Sequence, residues 1–313
     1  MNFEPARNLT IVEPIDHYLA EKSQLGKLSA ASVGNRRSEL TRFAKFCRRH
    51  KIDKPCDIHK NLLKAYLKSR KVSNGTRNTL INIYRSFFDY LVTEELMLDN
   101  VATTLERPRT QTPKFDFLSI DELEKVFRWE AENASEKFVD RNLLIYSIMI
   151  EVGLRVSAII NLKLDDLRLD AKQIWIKQKG GSEKQVPITE DIVNQFQTWL
   201  GVRDGFKNAE VSDHVFLAST GRQLSRKQVY ELVSRAIRGA GLVKRRNGPH
   251  LLRHTGATLR ALRGDGIEKI RLWLDHTGYG MSRRYVHAAE QLRQDTVQDE
   301  ILKDKGRFKR KGV

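Results

Sequence analysis

The sequence is poor in cysteine and has no long hydrophobic run. Its 313 residues include only two cysteines, Cys47 and Cys56, which form no C-x-x-C or Cys/His spacing. A disulfide framework and a structural zinc site are therefore not supported. No stretch of 18 apolar residues occurs, and the first ten residues lack the apolar segment of a secretory signal. We therefore expect a cytoplasmic protein with no membrane partner.

Acidic residues are in short supply. The chain has 39 Asp and Glu residues against 56 Lys and Arg residues, a formal net charge of +17. Such an excess favours nucleic acid as the partner over an anionic membrane surface or a merely solvated chain. It is present in both halves, with 19 basic and 12 acidic residues in 1–108 (+7) and 37 and 27 in 109–313 (+10). This distribution predicts a clamp that grips a duplex from two sides.

Proline is also scarce, and two of the seven prolines fall in one short segment without helical or strand periodicity. This segment, RPRTQTPKFDF at 107–117, predicts a linker. At about 150 residues per domain, the length predicts two domains. We therefore divide the chain into a first domain at 1–108, a linker at 109–117, a second domain at 118–290, and a C-terminal helix with a basic tail at 291–313.

Apolar residues recur at helical spacing throughout the first domain. The apolar stripes comprise Val33, Leu40, Phe43 and Cys47, then Ile58, Leu62 and Tyr66, then Leu80, Tyr84, Phe87 and Leu91. Together with Ile15 and Leu19 on an earlier segment, they predict a bundle of about four helices. Thr76 is the predicted N-cap of the last helix.

The second domain carries two helix-start signals and one hairpin signal. Ser119 with Glu122, and Ser225 with Gln228, have the spacing of a capping box. Two alternating segments, QIWIKQ and KQVPI, lie on either side of a Gly-Gly-Ser turn, which predicts a β-hairpin. The expected fold class is mainly α: an N-terminal helical domain followed by an α+β domain with a small antiparallel sheet.

One helix places a histidine and an arginine on the same face. Pro249 suits a first helical turn, because it lacks the amide proton that would be unpaired there. His250 and Arg253 lie three residues apart on that helix and can converge on a single anion. Such a pair taken alone is more often structural than functional, so the rest of the chain decides its meaning.

The full set of candidate residues has a characteristic order. In chain order the candidates are Arg155, Lys179, His250, Arg253, His276 and Tyr285. They lie in the segments GLRVS, KGGSEKQVP, HLLRHTGAT, LDH and RRYVH, and the last two candidates are nine residues apart (285 minus 276). These motifs resemble those of the tyrosine recombinases, the integrase family that includes Xer-type and Cre-type enzymes. The agreement extends over about 118–287, and the helical first half resembles the family's core-binding domain more weakly.

The resemblance implies a role for each candidate and makes the second domain catalytic. Arg155, Arg253 and the two histidines would hold and activate the scissile phosphate, and Lys179 would be the general acid. Tyr285 would become linked to a DNA 3′ phosphate and release a 5′ hydroxyl. Because the phosphotyrosine bond conserves the energy of the broken bond, no metal and no other cofactor is implied. The sequence also lacks a G-x-x-x-x-G-K-[ST] motif and clustered metal ligands.

These residue types also suit the chemistry of a phosphodiester. Negative charge accumulates around the phosphorus in the transition state, so fixed cations must surround it. The guanidinium groups of Arg155 and Arg253 are planar forks that suit two non-bridging oxygens. A phenol with a pKa near ~10 needs a cationic pocket or a base to attack at neutral pH. Histidines titrate in the range needed for proton transfer.

Four other residues compete for these roles by type. Lys184 follows the predicted lysine by five residues, but the hairpin alignment favours the earlier one. His254 shares a helix face with the first histidine and is interpreted as a packing or helix-surface residue. His287 flanks the predicted nucleophile. Tyr279 lies too near the second histidine for the family interval.

Two positions depart from the family pattern. The acidic residue usually found three positions after the first arginine is Ala158 here, and the glycine usually found before the second histidine is Asp275. Ala158 removes a group that would support the active site. We therefore predict slower cleavage than in an Ala158→Glu variant.

The sequence thus predicts a tyrosine-type site-specific recombinase that cuts and rejoins duplex DNA through a 3′-phosphotyrosine intermediate, in integration, excision or resolution. Expected partners are double-stranded DNA and further copies of the chain, as a homotetramer on paired sites, with a second recombinase or an accessory factor as further candidates. Two alternatives stay open: a DNA-binding regulator on an inactive recombinase scaffold, and a topoisomerase-like relaxing activity. A metal-dependent transposase gains no support.

Overall fold

The computed structural model describes residues 9–110, 116–177 and 183–308. The chain forms two compact units, Met1–Pro113 and Lys114–Val313. The predicted fold class is confirmed, since the structure is mainly helical with a small three-stranded antiparallel sheet in the second unit. No helix among the described residues is long and apolar enough to cross a membrane.

The first unit is a bundle whose described residues form four helices, as predicted. They are α1 (Val12–Gln24), α2 (Ala30–Arg49), α3 (Lys60–Ser69) and α4 (Asn74–Thr93). Their apolar stripes meet in one core, in which Phe43 and Tyr84 are fully buried. The prediction of Thr76 as the N-cap of α4 is wrong. Ser73 caps the helix about one turn earlier, because its hydroxyl accepts a hydrogen bond from the Thr76 amide at 3.3 Å.

A buried carboxylate joins three of these helices. Glu39 on α2 is only 4% exposed. It accepts hydrogen bonds from the hydroxyls of Tyr66 on α3 at 2.7 Å and Tyr84 on α4 at 3.0 Å, and from the Arg70 guanidinium at 3.1 Å. The Arg42 guanidinium on α2 also donates to it, at 2.7 Å. Four donors thus compensate for the desolvation of the carboxylate, and those from α3 and α4 fix how the helices pack.

The second unit carries the remaining elements. Its helices are α5 (Ile120–Asn133), α6 (Glu136–Ser147), α7 (Val156–Ile160), α8 (Glu190–Arg203), α9 (Arg226–Gly239), α10 (Pro249–Leu262), α11 (Ile267–Trp273) and α12 (Tyr279–Phe308). Both predicted capping boxes are present, at Ser119 of α5 and Ser225 of α9. Pro249 occupies the first turn of α10, as predicted.

The sheet confirms the predicted hairpin. Strands β1 (Leu167–Arg168), β2 (Gln173–Lys177) and β3 (Glu183–Pro187) pair in the order β1-β2-β3. Gln173 pairs with Pro187 and Lys177 with Glu183 in an antiparallel register. The tip between β2 and β3, which includes the predicted Lys179, lies outside the described residues.

A π-helical turn and two glycines shape the segment that follows α6. The π turn spans Ile148–Val152 and ends at Gly153, whose φ of 73° is left-handed. A Cβ at Gly153 would lie 2.7 Å from the ring of Trp273, and one at Gly256 of α10 would lie 2.0 Å from the carbonyl oxygen of Ile150. Only glycine permits these two close approaches, which hold α10 and α11 against the segment that carries the first predicted arginine.

Candidate active site

The structure brings five of the six predicted site residues to one region of the second unit. Arg155 precedes α7, His250 and Arg253 lie on α10, His276 follows α11, and Tyr285 lies on α12. Lys179 is not described. The site therefore depends on how four helices pack, because each helix contributes only one or two of these side chains.

Tyr285 is the most enclosed of the described candidate residues. It is 1% exposed, and its hydroxyl lies 2.6 Å from Nδ1 of His254. The ring of His276 stacks on its ring, with 6.5 Å between centroids and 22° between planes. Burial raises the pKa of the phenol, while the charges of Arg284 and Arg253 oppose this shift. The phenol is therefore neutral at pH 7 and needs a proton acceptor before it can attack.

His254 makes a different contact from the one predicted. It is a direct partner of the Tyr285 hydroxyl rather than a packing or surface histidine. Burial and the charges of His250 and Arg284 lower its pKa to about 4. The imidazole is therefore neutral, and a neutral ring nitrogen can accept the phenolic proton. The sequence showed that His254 shares a face with His250, but only the packing of α12 on α10 reveals the tyrosine opposite it.

Arg253 is fixed from two sides. It is 6% exposed, and its guanidinium donates hydrogen bonds to the carbonyl oxygens of Gly153 and Leu274. These carbonyls belong to the residues that end the π turn and α11, where helix dipoles favour a cation. Burial and repulsion from Arg155 lower its pKa to about 10, which leaves the group charged at neutral pH.

Arg155 is more open and is held by a single neighbouring residue. Its Nη1 donates to Oδ2 of Asp275 at 3.0 Å, and its Nη2 donates to the backbone oxygen of the same residue at 2.7 Å. The side chain is 43% exposed. Arg155 thus presents charge to solvent while Arg253 is enclosed.

The two predicted histidines differ in their surroundings. His276 is 9% exposed, and its Nδ1 lies 2.9 Å from the buried hydroxyl of Ser282, which fixes the ring plane. Burial and the charges of Arg253 and Arg155 lower the pKa of His276 to about 4. Partial burial and the Arg253 charge also lower the pKa of His250.

A basic groove continues from His250. Its lining includes Arg238, Arg245 and Arg246, together with Tyr230 of α9 and Gly248 at the start of α10. Three cationic side chains beside the site could hold phosphates that neighbour the reacting one.

Three of the competing residues are less enclosed than Tyr285. Lys184 is on β3, and its Nζ donates to the carbonyl oxygen of Leu272 at 3.1 Å. Tyr279 begins α12 and is 51% exposed, and His287 is also exposed. Neither residue is enclosed as Tyr285 is, which favours Tyr285 as the nucleophile.

Comparison with known proteins agrees with this geometry. Residues 116–291 match the model of the phage integrase family. The matched region is more than half of the chain and contains all five described site residues. The protein is thus a tyrosine recombinase. The chain belongs to the phage integrase family.

Individual relatives cover nearly the same length. The tyrosine recombinase XerC of Leptospira interrogans is 27% identical over 259 residues, 81% of this chain and 81% of that protein. The structure of the XerH site-specific recombinase bound to difH substrate has a TM-score of 0.69 at 22% identity, covering 95% of this chain and 97% of the other. A lambda integrase dimer bound to a COC′ core site gives 0.69 at 18% identity, covering 89% and 95%. The two structures share the fold of this chain.

These findings confirm the predicted enzyme class, a tyrosine-type site-specific recombinase. The two alternatives, a regulator on an inactive scaffold and a relaxing topoisomerase, are not favoured.

Acid should destabilise the second unit through its two most strongly shifted histidines. The pKa values of His254 and His276 are about 4 in the folded chain, against 6.5 without burial. Between these values the unfolded chain binds the proton and the folded chain does not. Stability is therefore complete above about pH 6.5 and falls toward pH 4, by up to ~1.4 kcal/mol per pH unit for each histidine. Denaturant unfolding at a series of pH values measures this slope.

A matched variant separates these histidines from the acidic residues that titrate nearby. His254→Gln removes one of the two groups and should flatten the slope between pH 6.5 and 5. Parallel curves for the variant and the wild type would contradict the assignment.

Proposed function

We propose that the chain cuts and rejoins duplex DNA by transesterification, with Tyr285 as the nucleophile. One observation carries this proposal: the buried Tyr285 hydroxyl lies in a site with two arginines and three histidines. Such a site stabilises a phosphate and the negative charge that builds on it. The basic groove beside His250 adds charge for the flanking backbone.

The reaction has two steps, cleavage and rejoining, and each step forms one phosphorus–oxygen bond and breaks another. The Tyr285 oxygen attacks the scissile phosphorus, the bond from phosphorus to the 5′ oxygen breaks, and a 3′-phosphotyrosine forms. The phenolic proton passes to His254, and the departing 5′ oxygen receives a proton from Lys179. A 5′ hydroxyl from the partner duplex then attacks the phosphotyrosine, which restores the phosphodiester and frees the tyrosine. Neither a nucleotide nor a metal is consumed.

The arginines and the other histidines act on the phosphate. Arg253 is pinned to two backbone carbonyls, so it meets the phosphate with little reorganisation. Arg155 reaches the same phosphate from the more open side. His250 and His276 are held neutral by their surroundings, and they donate hydrogen bonds to the non-bridging oxygens.

The proposed assembly on DNA is argued from the positive charge of both domains and from the two duplexes that strand exchange requires. Residues 1–108 form the DNA-binding domain and 118–290 the catalytic domain, joined by the linker at 109–117, and both grip double-stranded DNA. Strand exchange between paired sites requires four active sites, so the working form is a homotetramer on DNA, with a second recombinase or accessory factor as a further partner. The protein acts in the cytoplasm.

A trapped adduct tests the reaction. Nicked duplex fragments of the source organism's DNA are incubated with the protein, so that the short strand carrying the 5′ hydroxyl is lost after cleavage. We expect a complex that survives detergent, and mass spectrometry should place the nucleotide on Tyr285. Sequencing the attached strand then gives the target site. No adduct, or an adduct on another side chain, would contradict the proposal.

His254 should contribute to cleavage through the tyrosine hydroxyl. His254→Phe removes the acceptor at 2.6 Å, and we expect cleavage to slow about 10- to 100-fold. His254→Gln keeps an acceptor and should lose less. The measurement is single-turnover cleavage of a nicked duplex that carries the mapped site. Equal rates for both variants and the wild type would exclude His254 from proton transfer.

A further inference from the structure

Asp275 makes two contacts with Arg155, one from its side chain and one from its backbone. The carboxylate is 3.0 Å from Nη1 and the carbonyl oxygen is 2.7 Å from Nη2. Together they fix the plane of the guanidinium. A guanidinium has five N–H groups, and the Arg155 side chain stays 43% exposed, so it can still bind an oxyanion.

The backbone at this position does not favour aspartate. Asp275 has a φ of 51°, in the left-handed region that strains most L residues and suits glycine. Its neighbour His276 belongs to the site. The chain thus holds an aspartate beside its catalytic groups, in a backbone conformation that glycine adopts more readily. A residue other than glycine in this conformation at a functional site suggests a role for its side chain.

The helix that follows Arg155 supplies no carboxylate of its own nearby. Ala158 lies in the first turn of α7, and its amide donates to the backbone oxygen of Arg155 at 2.8 Å. A longer acidic side chain at position 158 would therefore extend from a backbone that lies beside that of Arg155. Alanine leaves this position without charge.

We propose that Asp275 is a positioning residue that orients the Arg155 guanidinium toward the scissile phosphate, in place of a carboxylate on α7. The inference rests on the proposed function, because Arg155 must bind the reacting phosphate. The carboxylate acts through Arg155 and does not touch the DNA.

If Asp275 inhibited the reaction, its removal would change the cleavage rate in the opposite direction. If Asp275 competed with the phosphate for Arg155, it would act as a brake, and its removal would speed cleavage. As a positioning residue, Asp275 speeds the chemical step. Its negative charge leaves the affinity for the phosphate unchanged or weakens it. Cleavage rate and DNA affinity therefore move in different directions when the carboxylate is lost.

Asp275→Gly tests this directly. The variant removes the carboxylate and relieves the backbone, so the thermal midpoint should not fall. We expect single-turnover cleavage at saturating protein to slow about 10- to 100-fold, while the dissociation constant for the mapped duplex stays the same or decreases. Asp275→Asn keeps a hydrogen-bond acceptor and should lose less. Asp213→Asn breaks the exposed pair with Lys163 at 2.6 Å and serves as the control with unchanged cleavage.

Rescue from α7 completes the test. Ala158→Glu in the Asp275→Gly background should recover about tenfold in cleavage, against less than about threefold in the wild type, because the two carboxylates serve one arginine. Ala158→Gln should recover less than Ala158→Glu. Faster cleavage in Asp275→Gly, or a parallel loss of cleavage, affinity and thermal midpoint, overturns the inference. So does the same gain from Ala158→Glu in both backgrounds.

Failure of the proposed function itself would look different. The wild-type chain would then form no adduct, whatever residue 275 is. In that case a double-mutant cycle of Asp275→Gly and Arg155→Ala, measured by the affinity for duplex DNA, still tests the contact. Additive effects would overturn the inference, and a coupling between the two substitutions would support it.

Discussion

A Tyr285→Phe variant is expected to form no covalent complex with DNA while it still binds the duplex. The substitution removes one oxygen and keeps the ring that His276 stacks on. The lost hydrogen bond to His254 should cost about 1 kcal/mol of stability, which a folded domain tolerates. The arginines remain in place, so the affinity for the mapped site should stay within about threefold of wild type. Gel shift and detergent-resistant adduct assays on one substrate measure both properties.

Tyr279→Phe is the matched control. Tyr279 begins the same helix and is 51% exposed, so it has none of the enclosure of Tyr285. We expect this variant to form the adduct at the wild-type rate. A covalent complex in Tyr285→Phe, attached through Tyr279 or any other side chain, would remove the basis of the proposed mechanism.

Much of the fold could be predicted because it depends on local patterns. Helical spacing located the four helices of the first unit, and side-chain to backbone capping located the starts of α5 and α9. Thr76 failed as an N-cap because Ser73 also suits the role and apolar spacing does not choose between them. The burial of Glu39 could not be predicted, since three of its four partners come from other parts of the chain.

The site was predictable in its residue types and less so in its contacts. The resemblance of their motifs to those of the tyrosine recombinases selected Arg155, Arg253 and Tyr285 from the sequence. The hydrogen bond between His254 and Tyr285, and the pairing of Arg155 with Asp275, depend on helix packing and on a left-handed backbone that no pattern encodes. Of the two departures from the family pattern, Ala158 was interpreted as a loss of support for the active site, and the structure connects the other, Asp275, to Arg155 itself.

Burial and positive charge act together on the histidines of this site. Both favour neutral rings, as the pKa values of about 4 for His254 and His276 indicate. A bound phosphate brings negative charge among the same groups and raises the pKa of each imidazole. We therefore expect the site to become a better proton acceptor when a phosphate is bound, which under the proposed mechanism would limit activation of the tyrosine in the absence of DNA.

Arg253→Lys should have the second largest effect on cleavage. Lysine keeps the positive charge but cannot reach two backbone carbonyls and two phosphate oxygens with one planar group. Loss of one preorganised donor costs about 3 kcal/mol in the transition state, so we expect cleavage to slow about 10²- to 10³-fold. DNA affinity should change little, because the charge remains and most binding comes from other phosphate contacts.

The control for Arg253→Lys must be another buried arginine. Arg203 is 1% exposed and donates to the carbonyl oxygens of Ser212 and His214, so Arg203→Lys imposes a similar structural loss away from Tyr285. Both variants should lower the thermal midpoint, and only Arg253→Lys should slow single-turnover cleavage at a temperature where both are folded. If the two lose cleavage equally, the effect of Arg253 is structural. If Arg253→Lys cleaves within about threefold of wild type, the fork of Arg253 does not hold the transition state.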